Sequence, residues 1–134
     1  MGAVVADTHS LIWYLQNSSK LSATALNALD SATQMGDPVY VSSITVVEIV
    51  YLTEKGKLPQ TALDQLINAL SSPKAGFIVV SLDLAIAQTL SQVPKDIVPD
   101  MPDRIIAATA LHLKLPLVTR DHKIQVLTAI QTIW

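Results

Sequence analysis

"AVVADTHSLIWYLQ", residues 3–16, decides how the chain folds. The small apolar run AVVA at 3–6 reads as a short buried strand, and the segment from Thr8 to about Gln16 reads as a helix. Asp7 stands at the junction, where the strand ends and the helix begins. Working outward, the same alternation recurs. A helix from Ser22 to about Gln34 carries apolar positions at Leu26 and Leu29 and a serine cap. The strand "VYVS" (39–42) runs into the helix "SITVVEIVYLTEK", capped by Ser42 or Ser43, and "QTALDQLINAL" is a further amphipathic helix. Then come the strand "FIVV" (77–80), a helix near 82–91, a proline-punctuated loop at 94–102, and a helix from Asp103 to about Leu113. "LPLVT" (115–119) and "AIQTI" near the end are the last two strands. Strands alternating with helices predict a parallel sheet covered on both faces, a three-layer α/β/α sandwich. In such sheets ligands bind in the crevice beyond the carboxyl ends of the strands.

Length and composition bound the function. The 134 residues fit one domain, 1–134, with no repeat, linker or low-complexity tract. Half the residues are apolar and 15% are charged, so apolar surface is in excess and an oligomer or a tight protein partner is expected. Charges and prolines interrupt every apolar run before the roughly 20 residues a membrane span needs. The first residues lack a basic region and carry an aspartate, so they do not read as a signal peptide. With no cysteine, disulfides and thiolate metal sites are excluded, and the cytoplasm is the expected location. The net charge of −2 argues against a nucleic-acid partner only at face value. Neutralising four of the eleven acids would leave nine basic side chains against seven.

The acids carry the chemistry. Asp7 and Asp121 each follow a strand, where a carboxylate stands in the crevice; helix capping is the competing account of both. Glu48 is one of two glutamates and lies in "ITVVEIVYL", a helix apolar all the way round. A buried carboxylate must protonate, pair with a cation or ligate a metal. Lys55, the nearest basic residue in sequence, is about two turns away. Asp103 opens the helix "RIIAATALHL", where the helix dipole favours an anion. Capping does not explain a mid-helix glutamate. If Asp7, Glu48, Asp103 and Asp121 converge, their repulsion would be relieved by Mg²⁺ or Mn²⁺, and ions so held suit phosphodiester hydrolysis. No covalent nucleophile is evident, since cysteine is absent and Ser10 beside His9 lacks a nucleophile elbow.

The segments "VVADTHSLIWYL", "VYVSSITVVEIVYLTEKGKL", "DMPDRIIAATALHLKLPLVTRD" and "IQTIW" together resemble the PIN-domain ribonuclease toxins, the VapC proteins of VapBC type II toxin–antitoxin systems. The likeness spans essentially the whole chain, loosely over 57–99. It implies a five-stranded parallel sheet in the order 3-2-1-4-5. It also implies a Mg²⁺- or Mn²⁺-dependent endoribonuclease leaving a 5′-phosphate and a 3′-hydroxyl, and a cognate VapB-type antitoxin. Asp7, Glu48, Asp103 and Asp121 match the four family acids, which would be the metal ligands, and Thr119 matches the hydroxyl residue beside the fourth. Asp100 is an additional acid, ranked below the four. Thr8 and Ser10 are candidates to hydrogen-bond carboxylates or substrate.

Arg104 and Arg120 flank two of the acids and are candidates to grip phosphate oxygens or to neutralise the acids. His9 and His122 invite metal ligation or a proton shuttle, against the simpler account that sequence neighbours point apart. Trp13 and Tyr14 read as core or dimer contacts rather than base-stacking platforms, and Lys20, Lys55, Lys57 and Lys123 as solvated charges. A homodimer acting on RNA is the expected assembly. Two alternatives lack nuclease activity. A receiver-like signalling module would want an acidic pair near the first strand, which is absent, and a PIN-like binding module would want a missing acid.

Overall fold

The computed structural model describes residues 2–72 and 74–134. Five strands, β1 (Val4–Ala6), β2 (Val39–Ser42), β3 (Phe77–Val80), β4 (Leu117–Val118) and β5 (Thr132–Ile133), form one sheet in the order β3-β2-β1-β4-β5. Every neighbouring pair is parallel. The helices are α1 (Thr8–Leu15), α2 (Ala23–Gln34), α3 (Ser43–Glu54), α4 (Gln60–Ser71), α5 (Leu84–Thr89), α6 (Met101–Leu113) and α7 (His122–Gln125), with a 3₁₀ turn at Leu90–Gln92.

Period-two alternation splits the core in two. In β1, Val4 and Ala6 join the apolar cluster of Leu11, Leu29 and Leu66 from α1, α2 and α4. Val5 points the other way, into the cluster of Ile86, Ile106 and Ile124 from α5, α6 and α7. Leu11, Leu29, Leu66, Ile106 and Ile124 are almost wholly buried, and each contributes about 1.5–3 kcal/mol by leaving water. Helix α3 belongs to neither face alone: Ile49 packs into the first cluster and Ile44 against the second. It follows β2 with no loop, because Ser42 is both the last strand residue and the cap that accepts the Ile44 N–H.

Register fixes what lies at the sheet's carboxyl edge. Ala6 is level with Val41 on one side and Val118 on the other. One step further along, Asp7, Ser42 and Thr119 come next in the three central strands.

Three elements have other bounds than the sequence suggests, and one element is additional. The α6 helix starts at Met101 rather than Asp103, with Pro102 in its first turn and Asp100 in the cap position. Proline at a helix start leaves no donor unsatisfied that would otherwise be paired. Strand β4 is only Leu117–Val118: Lys114 leaves α6 in the left-handed conformation and Pro116 has no N–H to pair. Strand β5 shortens correspondingly to Thr132–Ile133. The one-turn helix α7 was not expected at all.

Candidate active site

Three of the four predicted acids sit at helix starts. Asp7 caps α1, its Oδ1 accepting the Ser10 N–H at 2.9 Å, while its own N–H still bonds the Val118 carbonyl of β4. Asp121 caps α7, its Oδ1 accepting the Lys123 N–H at 2.8 Å and the Ile124 N–H at 3.4 Å. The capping account of both is therefore true, and it leaves each carboxylate free to face the cleft with its other oxygen. Asp103 lies in the first turn of α6, where the helix dipole favours its anion.

Glu48 is held from the side. The Thr8 hydroxyl donates to its Oε1, and Thr8 Oγ1 lies 3.1 Å from Thr45 Oγ1 in the buried space between α1 and α3. A hydroxyl has one proton to give, so with Thr8 donating to Glu48, Thr45 is the donor to Thr8. Glu48 is half-buried rather than enclosed, because one flank of α3, at Val47 and Tyr51, faces solvent.

These side chains share one cleft of about 550 Å³ at the carboxyl edge of the sheet, lined by Asp7, Glu48, Asp100, Asp103 and Asp121. His9, Trp13, Arg120, His122 and Lys123 line it as well. The acids feel one another. Burial raises the Glu48 carboxyl; the Thr8 hydroxyl and the charge of His9 offset part of this, and Asp100 and Asp7 add to it. Burial first, then the Asp121 carboxylate, then Asp100, push Asp103 up to about 7. The array is open: among the described residues no three such groups close around a common point.

Other expected residues take different positions. Thr119 is fully buried, outside the cleft lining, and its Oγ1 accepts the Asp121 N–H at 3.0 Å, so it sets the loop that presents Asp121. Thr8 meets the carboxylate expectation through Glu48. The Ser10 hydroxyl is fully buried and donates to the Val118 carbonyl at 3.1 Å, so it is the Ser10 N–H that meets a carboxylate, that of Asp7. Arg104 lies elsewhere: its Nε donates to the Val93 carbonyl at 2.9 Å and it is not among the residues lining the cleft. One residue beyond Asp103 on a helix is about 100° around its axis, which turns Arg104 to the neighbouring loop.

Arg120 does line the cleft, and so do Trp13 and Lys123, which sequence reasoning had set aside as a core or dimer contact and a solvated charge. The signal for Trp13 was available, since His9 and Trp13 are one helical turn apart and share a face. Tyr14, by contrast, faces α2, where its hydroxyl donates to Asp30 Oδ1 at 2.7 Å.

Fold and site together define a class: a parallel α/β domain that collects carboxylates from separate segments at the carboxyl edge of its sheet. The chain belongs to the PIN-domain family, whose model matches residues 4–129. It is 28% identical over 125 residues to "Ribonuclease VapC22" of Mycobacterium tuberculosis, a match covering 93% of this chain and 92% of that one. In fold it is similar to a chain of the VapBC2 structure from Rickettsia felis bound to a promoter DNA fragment, at a TM-score of 0.72 and 16% identity over 97% of this chain and 96% of that one. A toxin–antitoxin complex from Klebsiella pneumoniae gives 0.67 and 24% over 95% and 94%. FitAcB from Neisseria gonorrhoeae gives 0.64 and 22% over 96% and 95%. At these identities the structures speak to the fold.

Proposed function

We propose that the chain is a divalent-metal-dependent endoribonuclease, the toxin of a type II toxin–antitoxin pair, hydrolysing RNA phosphodiesters as a single domain. One observation carries this reading: carboxylates from four separate segments line one cleft, where burial first and then the neighbouring Asp121 and Asp100 carboxylates lift Asp103 to about 7. A donor set made only of carboxylate oxygens suits a hard cation, Mg²⁺ or Mn²⁺, held by Asp7, Glu48, Asp103 and Asp121. When bound, such an ion activates water and stabilises charge on the phosphoryl oxygens.

The protein's own groups divide the remaining work. Thr8 fixes Glu48, Thr119 fixes the Asp121 loop, and the Ser10 N–H fixes Asp7. Arg120 and Lys123, which line the same cleft, would meet the phosphate backbone. The named relative and the toxin–antitoxin complexes of like fold support a VapB-type antitoxin as partner.

A homodimer is supported by an apolar groove of about 380 Å³ beside the cleft, where Val47, Tyr51 and Met101 are 46%, 59% and 62% exposed. Among the described residues no helix is long and apolar enough to cross a membrane. The test is incubation of the purified, antitoxin-free protein with RNA in Mn²⁺ or in EDTA, beside Asp7→Asn. Cleavage that needs the ion and is lost in the variant is expected; cleavage that survives EDTA or the substitution would overturn the reading.

A further inference from the structure

The chain's two tryptophans and one of its two arginines stand together at the carboxyl edge of the sheet. Strand β5 pairs with β4 so that Ile133 is level with Val118, and the Thr119 N–H bonds the Ile133 carbonyl at 3.1 Å. Trp134, the next residue, is thereby set beside the turn that carries Arg120. Its ring lies 6.0 Å from that of Trp13 on α1, with the planes inclined by 60°. The Arg120 guanidinium carbon in turn lies 5.6 Å from the centre of the Trp13 ring. Trp13 and Arg120 line the acid cleft, and Trp134 stands behind them. Both indoles are half-buried against the core cluster of Leu11 and Leu29, whereas Arg120 is exposed.

We propose that Trp134 is a positioning residue of the cleft: it fixes the Trp13 indole, the indole fixes the Arg120 guanidinium, and the cation meets a phosphate group with its orientation already set. That the ligand is a phosphate rests on the nuclease reading; the ordering of the guanidinium does not. An exposed arginine has many rotamers, and a ligand that needs one of them must freeze the rest. A guanidinium within about 6 Å of an indole centroid is attracted to the ring. The indole face accepts no strong hydrogen bond, so the N–H donors stay available to phosphate oxygens. That hold is only as firm as the indole itself. Trp134 supplies the firmness, tying α1 to the strand next to the one that leads into Arg120.

The ordering is read without any ligand, from ¹⁵N relaxation and hydrogen exchange at the arginine Nε–H groups. Only two are present, and that of Arg104, which donates to the Val93 carbonyl, is an internal reference for an intact fold. The Arg120 Nε–H is ordered in the wild type and becomes mobile in Trp13→Ala and in Trp134→Ala, with Arg104 unchanged; Trp134→Phe keeps the order. The phosphate contact is read from the affinity for a short labelled oligoribonucleotide in Ca²⁺. Arg120→Ala lowers the slope of log affinity against log salt by about 0.7. Trp134→Ala weakens binding about two- to tenfold, and adds nothing when combined with Arg120→Ala.

An Arg120 Nε–H as mobile in the wild type as in Trp134→Ala would overturn the proposal, as would a Trp134→Ala loss of equal size with and without Arg120. In either case metal-dependent cleavage would leave the nuclease reading standing. An oligoribonucleotide that binds none of these proteins would overturn the nuclease reading and the phosphate contact with it.

Discussion

Asp103, in the first turn of α6, faces Asp121, the cap of α7, and half burial together with that neighbouring carboxylate holds the Asp103 carboxyl at about 7. Between its ordinary value of 3.8 and about 7, the folded protein keeps a proton that the unfolded chain has released. Stability of the metal-free protein therefore falls as pH rises through that window, and the contribution is complete only below it. Thermal unfolding in EDTA at about pH 5 and about pH 8 should show a larger loss for the wild type than for Asp103→Asn. Equal losses would show that Asp103 is not the group responsible.

The same proton competes with a cation. Apparent Mg²⁺ or Mn²⁺ affinity should rise as pH climbs through about 7, with protons released on binding. Calorimetric titration in buffers of different ionisation enthalpy measures that release directly. Binding of the ion with no proton release at about pH 6 would contradict the placement of Asp103 among its ligands.

Asp7 has two roles that substitution can separate. Asparagine caps a helix about as well as aspartate, so Asp7→Asn should keep stability within about 0.5 kcal/mol, whereas Asp7→Ala should lose about 1 kcal/mol. Both should lower RNA cleavage by about a hundredfold or more. Denaturant unfolding beside a cleavage assay tells the roles apart, because an active Asp7→Asn would leave capping as the whole explanation.

Which of these features a reader of the sequence can see depends on how local their cause is. Asp7 and Asp121 were legible because a strand ends immediately before each, and the sheet's carboxyl edge is where strand ends go. Glu48 was legible as a carboxylate in a helix with no polar face. Direction around a helix axis was the harder matter. Arg104 sits next to Asp103 in sequence but turns to Val93, while Trp13, six residues from Asp7, returns to the cleft. Ser10 shows the same difficulty: its N–H bonds the Asp7 carboxylate, while the packing of α1 on β4 commits its hydroxyl to Val118. Helix α7, four residues long, is too short to carry a period, and Pro116 set the start of β4 by what it lacks.

Thr8 links α1 to α3 through one hydroxyl. Thr8→Val keeps the shape but leaves Thr45 and Glu48 without their partner, and a buried polar group so stranded costs about 1–3 kcal/mol. Since the Thr8 hydrogen bond holds the Glu48 carboxyl down against burial, the variant should also move the acid limb of the cleavage profile to higher pH. Thr8→Ser should restore both. A profile unmoved in Thr8→Val would mean that Glu48 is positioned by something else.

The exposed flank of α3 yields the last prediction. Tyr51 and Val47 line the groove next to the acid cleft, and Glu48 and Asp100 border both. A second copy seated there would bury apolar surface and bring a second cleft close to the first. Tyr51 is 59% exposed, so Tyr51→Asp removes little packing from the folded chain and should change its unfolding by no more than about 0.5 kcal/mol. Burying that aspartate at a subunit contact is far more costly, so light scattering on the eluting protein should show dimer for the wild type and monomer for the variant. A variant that remains dimeric would place the contact on another face, and a monomeric wild type would remove the dimer altogether.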